Sequence, residues 1–304
     1  MINNITNKLQ DEIFFYFPNF AKEDSLEEVI NNIQEIRVRI GQPICARGNN
    51  FEKKFIYKMS SEDILKILEN FCNNSIYSVQ NEINSGFITI KGGHRIGITG
   101  TCVFENGAIK NIKYISSLNI RIAREVKGCS DKVLSYILEN KKFNNTLILS
   151  PPGCGKTTLI RDMIRQLSNG CDFCDSYNIG LVDERSEIAA MYKGVPQNDI
   201  GSRTDVMNNC KKYIGMKMLI RSMGPQIIAT DEIGGEKDED AIFDAVYSGV
   251  KLLLTAHGDE IKNVSKRIID AKIFKNIVIL KNVDKPGELD KIYILEGDNY
   301  VSCF

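Results

Sequence analysis

The chain lacks long apolar runs. Nothing in it approaches the ~20 apolar residues that a membrane-spanning helix needs, and Met1 to Gln10 contains no apolar stretch fit for a signal peptide. A cytoplasmic protein is expected. The chain also lacks surplus charge, because 39 lysines and arginines match 39 aspartates and glutamates. No global field therefore draws it to nucleic acid or to an anionic membrane. Regular cysteine spacing is missing too, and an odd count of nine in a 304-residue chain reads as reduced thiols. Cys171 and Cys174 form a lone C-x-x-C beside Asp172 and Asp175, with no second Cys or His pair at ligand spacing. A solvated loop is expected there, and no metal site. Histidines number only two, His94 and His257, so the place of each carries information.

The 43% hydrophobic and 26% charged composition is that of a chain able to bury a real core, and its length suits two domains. Periodicity puts a seam near residues 125 to 140, dividing the chain into 1–128 and 129–304. The first part reads as α+β. Asn7 to Phe17 has helical spacing. Strand-like runs cover Glu35 to Ile40, Pro43 to Arg47 and Phe51 to Tyr57, and a helix capped at Ser61 carries Ile64, Leu65, Ile67, Leu68 and Phe71. Gly86 to Gly100 gives two alternating runs around Gly92-Gly93, a β-hairpin. In it, His94 is expected to pack or to face a neighbour. Leu118 to Val126 reads as a last strand, and Asp131 to Glu139 as a linking helix.

From Asn145 onward the rhythm becomes buried strands alternating with helices, the pattern of a parallel sheet with crossover helices. The expected strands are Thr146 to Ser150, Asn178 to Asp183, Gln226 to Asp231, Lys251 to Ala256, Ile277 to Leu280 and Lys291 to Leu295. In such sheets ligands bind beyond the carboxyl ends of the strands. Four of these ends meet polar residues: Ser150, Asp183-Glu184, Asp231-Glu232 and His257.

The first end opens the strongest motif. Ser150-Pro151-Pro152-Gly153-Cys154-Gly155-Lys156-Thr157-Thr158 runs from an apolar strand into a helix, which is a phosphate-binding loop in its proper context. Pro151 and Pro152 carry no N–H, so the phosphate donors are those of Gly153 to Thr158. Lys156 suits the β/γ oxygens of ATP, and the Thr157 hydroxyl suits Mg²⁺. Ser150 replaces the motif's first glycine and is tolerable there if its φ stays negative.

Ile227 to Glu232 is an apolar strand ending in paired carboxylates, in the manner of a Walker B element. Asp231 is placed to hold Mg²⁺ through water, and Glu232 to accept a proton from an attacking water. Leu181 to Glu187 offers further acids at a strand end, Asp183, Glu184 and Glu187. A neutral His257 imidazole beside them is suited to sense a γ-phosphate.

The order of P-loop, acidic strand end, Walker B and Thr-x-His resembles the secretion ATPases of type II and type IV pilus systems. Their E-D-P-x-E pattern lies on Asp183, Glu184 and Glu187, with Arg185 and Ser186 departing from it. Ile36 to Pro43, Gly86 to Gly97, Pro151 to Thr158 and Val182 to Ile188 together resemble the stage III sporulation protein AA family of endospore-forming bacteria. These resemblances imply a RecA-like P-loop ATPase domain behind a smaller N-terminal α+β domain. They also imply a cytoplasmic ATPase of the mother cell, a homohexamer, whose partners are membrane proteins of a channel joining mother cell and forespore. Arg121 and Arg124 are the candidate arginine finger, by resemblance to interdomain arginines of secretion ATPases; Arg203 and Arg221 are weaker candidates. A nucleic-acid-dependent RecA-like motor is the alternative, favoured by Arg37, Arg39 and Arg95 and disfavoured by balanced charge and few interleaved aromatics. A nucleotide-gated scaffold without turnover is a third, against which the Asp231-Glu232 pair counts.

Overall fold

The computed structural model describes residues 33–48, 51–72, 76–281 and 287–304; the helix expected over Asn7 to Phe17 lies outside them. The chain divides into two compact units between Arg124 and Glu125. No helix among the described residues is long and apolar enough to cross a membrane.

The N-terminal unit is built on strands β1 (Ile33–Arg39), β2 (Pro43–Gly48), β3 (Glu52–Lys58), β4 (Phe87–Thr89), β5 (Arg95–Glu105) and β6 (Ala108–Arg121), with helices α1 (Ser61–Phe71) and α2 (Gln80–Asn84). The sheet order is β3-β2-β1-β6-β5-β4, antiparallel throughout. Alternation explains the burial. Ile36 and Val38 of β1 enter a core with Ile64, Leu68, Ile96, Leu118 and Ile120, while Arg37 and Arg39 point to the other face. The expected Gly92-Gly93 hairpin is present as β4–β5, and buried His94 accepts the Ala123 N–H on Nδ1 at 3.1 Å. Two sequence expectations are corrected. The cap of α1 is Ser60, not Ser61, because Ser60 and Asp63 exchange the two bonds of a capping box. The last strand is β6, which starts at Ala108 and ends at Arg121, since its turn is Asn106-Gly107, both at positive φ. The sequence pattern had hidden its first half because much of it is solvent-exposed.

The C-terminal unit runs α3 (Asp131–Ile137), β7 (Thr146–Ser150), α4 (Lys156–Asn169), β8 (Ile179–Asp183), β9 (Met191–Tyr192), β10 (Val195–Pro196), β11 (Thr204–Asn208), α5 (Lys212–Ser222), β12 (Ile227–Thr230), α6 (Glu236–Tyr247), β13 (Lys251–His257), α7 (Lys266–Asp270), β14 (Asn276–Leu280), β15 (Leu289–Glu296) and β16 (Asn299–Ser302). Its eight-stranded sheet has the order β11-β8-β12-β13-β7-β14-β15-β16. Strands from β11 to β14 are parallel; β15 and β16 return antiparallel at the edge. Successive residues of the parallel strands feed opposite cores. Ile148, Ala229 and Leu253 pack with Leu159, Ile160 and Met163 of α4, whereas Leu147, Ile228 and Leu254 pack with Met216, Leu219 and Ile242 of α5 and α6. Both faces are covered, which is why these strands read as continuous apolar runs. The Cys171–Cys174 turn differs from the expected solvated loop: Cys174 is buried in the α4 core, and burial pushes its thiol up to about 12.

Candidate nucleotide-binding and hydrolysis site

The strand order places β13 between β12 and β7, so the acidic end of β12 and the P-loop flank His257. His257 is in register with Ser150 of β7. Ser150 closes its strand fully buried and is not among the residues at positive φ. Gly153 and Gly155 do take positive φ, 79° and 88°, and space is open where a Gly153 side chain would lie. The loop then enters α4 at Lys156, and the first N–H groups of a helix have no partners within it. Those donors and the positive end of the helix dipole form an anion cradle over Gly153 to Thr158.

Lys156 Nζ lies 2.8 Å from the Ser150 carbonyl and 3.0 Å from His257 Nδ1. Burial pushes its ammonium below the usual lysine range, with Glu232 opposing that effect. An ammonium only donates, so Nδ1 must accept and the imidazole proton sits on Nε2. His257 Nε2 in turn contacts Glu232 Oε1. Lys156, His257 and Glu232 thus form one hydrogen-bonded row across three adjacent strand ends.

Glu232 adopts φ 33°, a left-handed conformation costly for a residue with a side chain. Thr255 holds it there: its hydroxyl accepts the Glu232 N–H at 2.8 Å, and its carbonyl accepts the Ile233 N–H at 2.8 Å. Arg185 approaches the other Glu232 oxygen at 3.4 Å. A cleft of about 530 Å³, lined by Arg185, Glu232, Gly234, Gly235 and His257 among others, opens beside this row.

Asp231 is buried, and its Oδ1 has no hydrogen-bond partner. Burial pushes its carboxyl up to about 6, against the pull of Lys212. An orphaned, desolvated carboxylate oxygen beside a phosphate cradle is a fitting donor for Mg²⁺, directly or through water. Thr157, the other expected metal residue, is half-buried in the first turn of α4.

The third acidic cluster divides by role. Asp183 is fully buried and accepts N–H bonds from Glu187, Ile188 and Ala189 at 2.8–3.1 Å, while burial pushes its carboxyl up. Arg161 of α4 grips the same loop through the Glu187 and Ile188 carbonyls at 2.6 and 2.7 Å. Asp183 therefore shapes the loop. Glu184 is bound by Lys211 and Lys212, each at 2.7 Å; burial raises its carboxyl, but those two bonds outweigh burial and hold it low. Glu187 is near enough to raise Asp231 electrostatically. Arg121 and Arg124 belong to the N-terminal unit, where the Arg124 guanidinium donates to the Ile33 carbonyl at 2.9 Å. Thr255, Arg185, Arg161, Lys211 and Lys212 escaped sequence reasoning. The signals available were the Thr-x-His spacing for Thr255, the acidic strand end for Arg185 and the adjacent pair Lys211-Lys212.

The sheet order, the loop and the acids beyond the strand ends define a RecA-like P-loop fold of the secretion-ATPase kind. The pilus retraction motor PilT, solved with bound ADP, superposes with a TM-score of 0.58 at 17% identity, covering 91% of this chain and 80% of that one. The ATPase DotB of Legionella pneumophila gives a TM-score of 0.54 at 15% identity over 89% and 75%. The sequence model of the family described as Sporulation stage III, protein AA, matches residues 21–300, and the chain belongs to that family. Stage III sporulation protein AA of Bacillus subtilis (strain 168) is 38% identical over 271 residues, 88% of each chain.

Proposed function

We propose that the protein binds ATP with Mg²⁺ and hydrolyses it. The observation that carries this reading is the row Lys156–His257–Glu232 at the mouth of the P-loop. In this reading the N–H groups of Gly153 to Thr158 and the Lys156 ammonium bind the polyphosphate. A phosphate oxygen is a stronger acceptor than a carbonyl or an imidazole, so Lys156 turns from Ser150 and His257 to the nucleotide. His257 Nδ1 loses its donor when the nucleotide draws Lys156 away, which couples the imidazole to the phosphate, and Glu232 is held by Thr255 to orient water and accept its proton. Thr157 and Asp231 hold Mg²⁺, which when bound neutralises charge on the β and γ oxygens.

At the scale of the assembly, the family and the likeness in fold to PilT and DotB support a homohexameric ring in the mother-cell cytoplasm. Its energy serves a sporulation channel of membrane proteins between mother cell and forespore. In that ring Arg121 or Arg124 of one subunit completes the site of the next, and residues 1–128 and 129–304 move against each other during turnover. Phosphate release from ATP with and without Mg²⁺ tests the chemistry. Metal-dependent release that Lys156→Ala abolishes is expected; release that is absent from the wild type, or indifferent to Lys156, contradicts it.

A further inference from the structure

The Lys212 ammonium takes no part in the row described above, yet it is enclosed. Its side chain is 10% exposed, 2.7 Å from Glu184 Oε2 and 3.9 Å from Asp231 Oδ1. The first contact is a hydrogen bond and the second an ion pair too long to be one, which leaves Asp231 Oδ1 unsatisfied. Lys211 takes the remaining Glu184 oxygen from the solvent side. A lysine at the first residue of an α-helix stands at the positive end of the dipole, where cations are disfavoured, and α5 places one there and another at its cap. The position is also held tightly. Gly215 of α5 lies so close to β8 that an added Cβ would meet Val182 Cγ1 at 2.6 Å. Glu184 and Asp231 are the two carboxylates at the enclosed ammonium, and Asp183 and Glu187 add negative charge that acts on Asp231 against Lys212 and Arg185. Buried carboxylates at such density need a cation.

We propose that Lys212 is a positioning residue whose ammonium fills a cation position formed by Glu184 and Asp231, and that a divalent metal ion takes over this charge role at Asp231. The inference rests on the Mg²⁺–nucleotide reading of the site and deepens it. It explains why Asp231 can stay orphaned and buried before any metal arrives. The side chain that compensates its charge stops short of hydrogen bonding, so an incoming ion finds a free oxygen. Lys212 is in this account the reason the metal-free protein is stable without Mg²⁺.

The test is thermal melting of the full chain in EDTA and in millimolar Mg²⁺, without nucleotide. Wild type should melt at the same temperature in both. Lys212→Met should melt several degrees lower in EDTA, and Mg²⁺ alone should restore at least half of the loss; Lys212→Arg should behave as wild type. In the presence of nucleotide, the Mg²⁺ concentration giving half-maximal binding should fall about tenfold in Lys212→Met, because a neighbouring positive charge is gone. A loss of stability that Mg²⁺ does not restore would reduce Lys212 to a structural ion pair and overturn the inference, as would equal Mg²⁺ sensitivity in wild type. Lys212→Gln, which keeps a donor for Glu184 and removes the charge, repeats the test if the methionine variant does not fold. Failure of both to fold even in Mg²⁺ also overturns it. Nucleotide binding to wild type is measured separately. Mg²⁺ rescue without ATP binding sinks the hydrolysis reading and keeps the cation position, whereas ATP binding without Mg²⁺ rescue sinks the inference alone.

Discussion

Asp162 shows how single residues secure the P-loop helix. Its carboxylate, 3% exposed, accepts the Ser130 N–H and hydroxyl at 2.9 and 2.7 Å and an Arg165 bond at 2.7 Å. Burial raises its carboxyl, but the Ser130 bonds and Arg165 more than reverse that, holding it at about 2 against an ordinary aspartate value of 3.8. The folded pKa lies below the unfolded one, so the stabilisation is complete above about pH 4 and is lost as pH falls toward 2. A shift of this size is worth about 2 kcal/mol. Asp162→Asn should therefore lower stability by roughly that amount at pH 7 and flatten its decline below pH 4, as read by urea unfolding across pH. A variant with the acid limb of wild type would contradict it. Asp231 is the opposite case. Its desolvated charge, with burial pushing the carboxyl up to about 6, costs stability in the metal-free protein, so Asp231→Asn should melt higher than wild type in EDTA while losing Mg²⁺-dependent hydrolysis, an exchange of stability for function. A lower melting temperature would contradict this account.

Among elements, α5 matters most to the site after the P-loop helix, because its first turn delivers Lys212. Gly215→Ala must push α5 away from Val182, at a cost of about 1–3 kcal/mol. The double variant Gly215→Ala/Val182→Ala should regain part of that, because the clash is pairwise. Denaturant unfolding of the three proteins measures it, and strictly additive losses would rule out the contact. This element also marks the limit of what the sequence made legible. Strand, loop and helix around Lys156 were readable because their residues are contiguous, and β7, β8, β12 and β13 were readable because both of their faces are buried. That His257 lies between Lys156 and Glu232 depends on strand order, which no local pattern carries. Thr255, Arg161 and Lys212 act through contacts 23 to 28 residues away in sequence, as in the Thr255–Glu232, Arg161–Glu187 and Lys212–Glu184 bonds, and periodicity is silent about these. Lys291 to Leu295 was legible as a strand, but its antiparallel direction and the short, largely exposed β16 were not, because direction depends on pairing rather than on local pattern.

At the scale of the whole molecule, the proposed ring makes activity depend on assembly. The described residues of the C-terminal unit place Arg185 near Glu232, and the proposed finger comes instead from a neighbour's Arg121 or Arg124. An arginine finger contributes ~10³-fold or more in rate. Specific activity should therefore climb steeply with protein concentration. Arg121→Ala or Arg124→Ala should slow turnover without weakening ATP binding, and mixing either with Lys156→Ala should restore part of it. Flat specific activity with both arginine variants at wild-type rate would rule out the shared site. Added DNA or RNA at physiological salt should leave the rate unchanged; strong stimulation would favour a nucleic-acid motor.

The central claim is that one end of the row binds nucleotide and the other performs hydrolysis, and comparing Lys156→Ala with Glu232→Gln tests it most directly. Equilibrium binding of ATP and the steady-state rate of phosphate release should be measured on both. Lys156→Ala should bind ATP weakly; Glu232→Gln should bind it as tightly as wild type and retain it unhydrolysed, because only the proton acceptor is lost. Equal loss of binding in the two variants, or wild-type turnover by Glu232→Gln, would contradict the account.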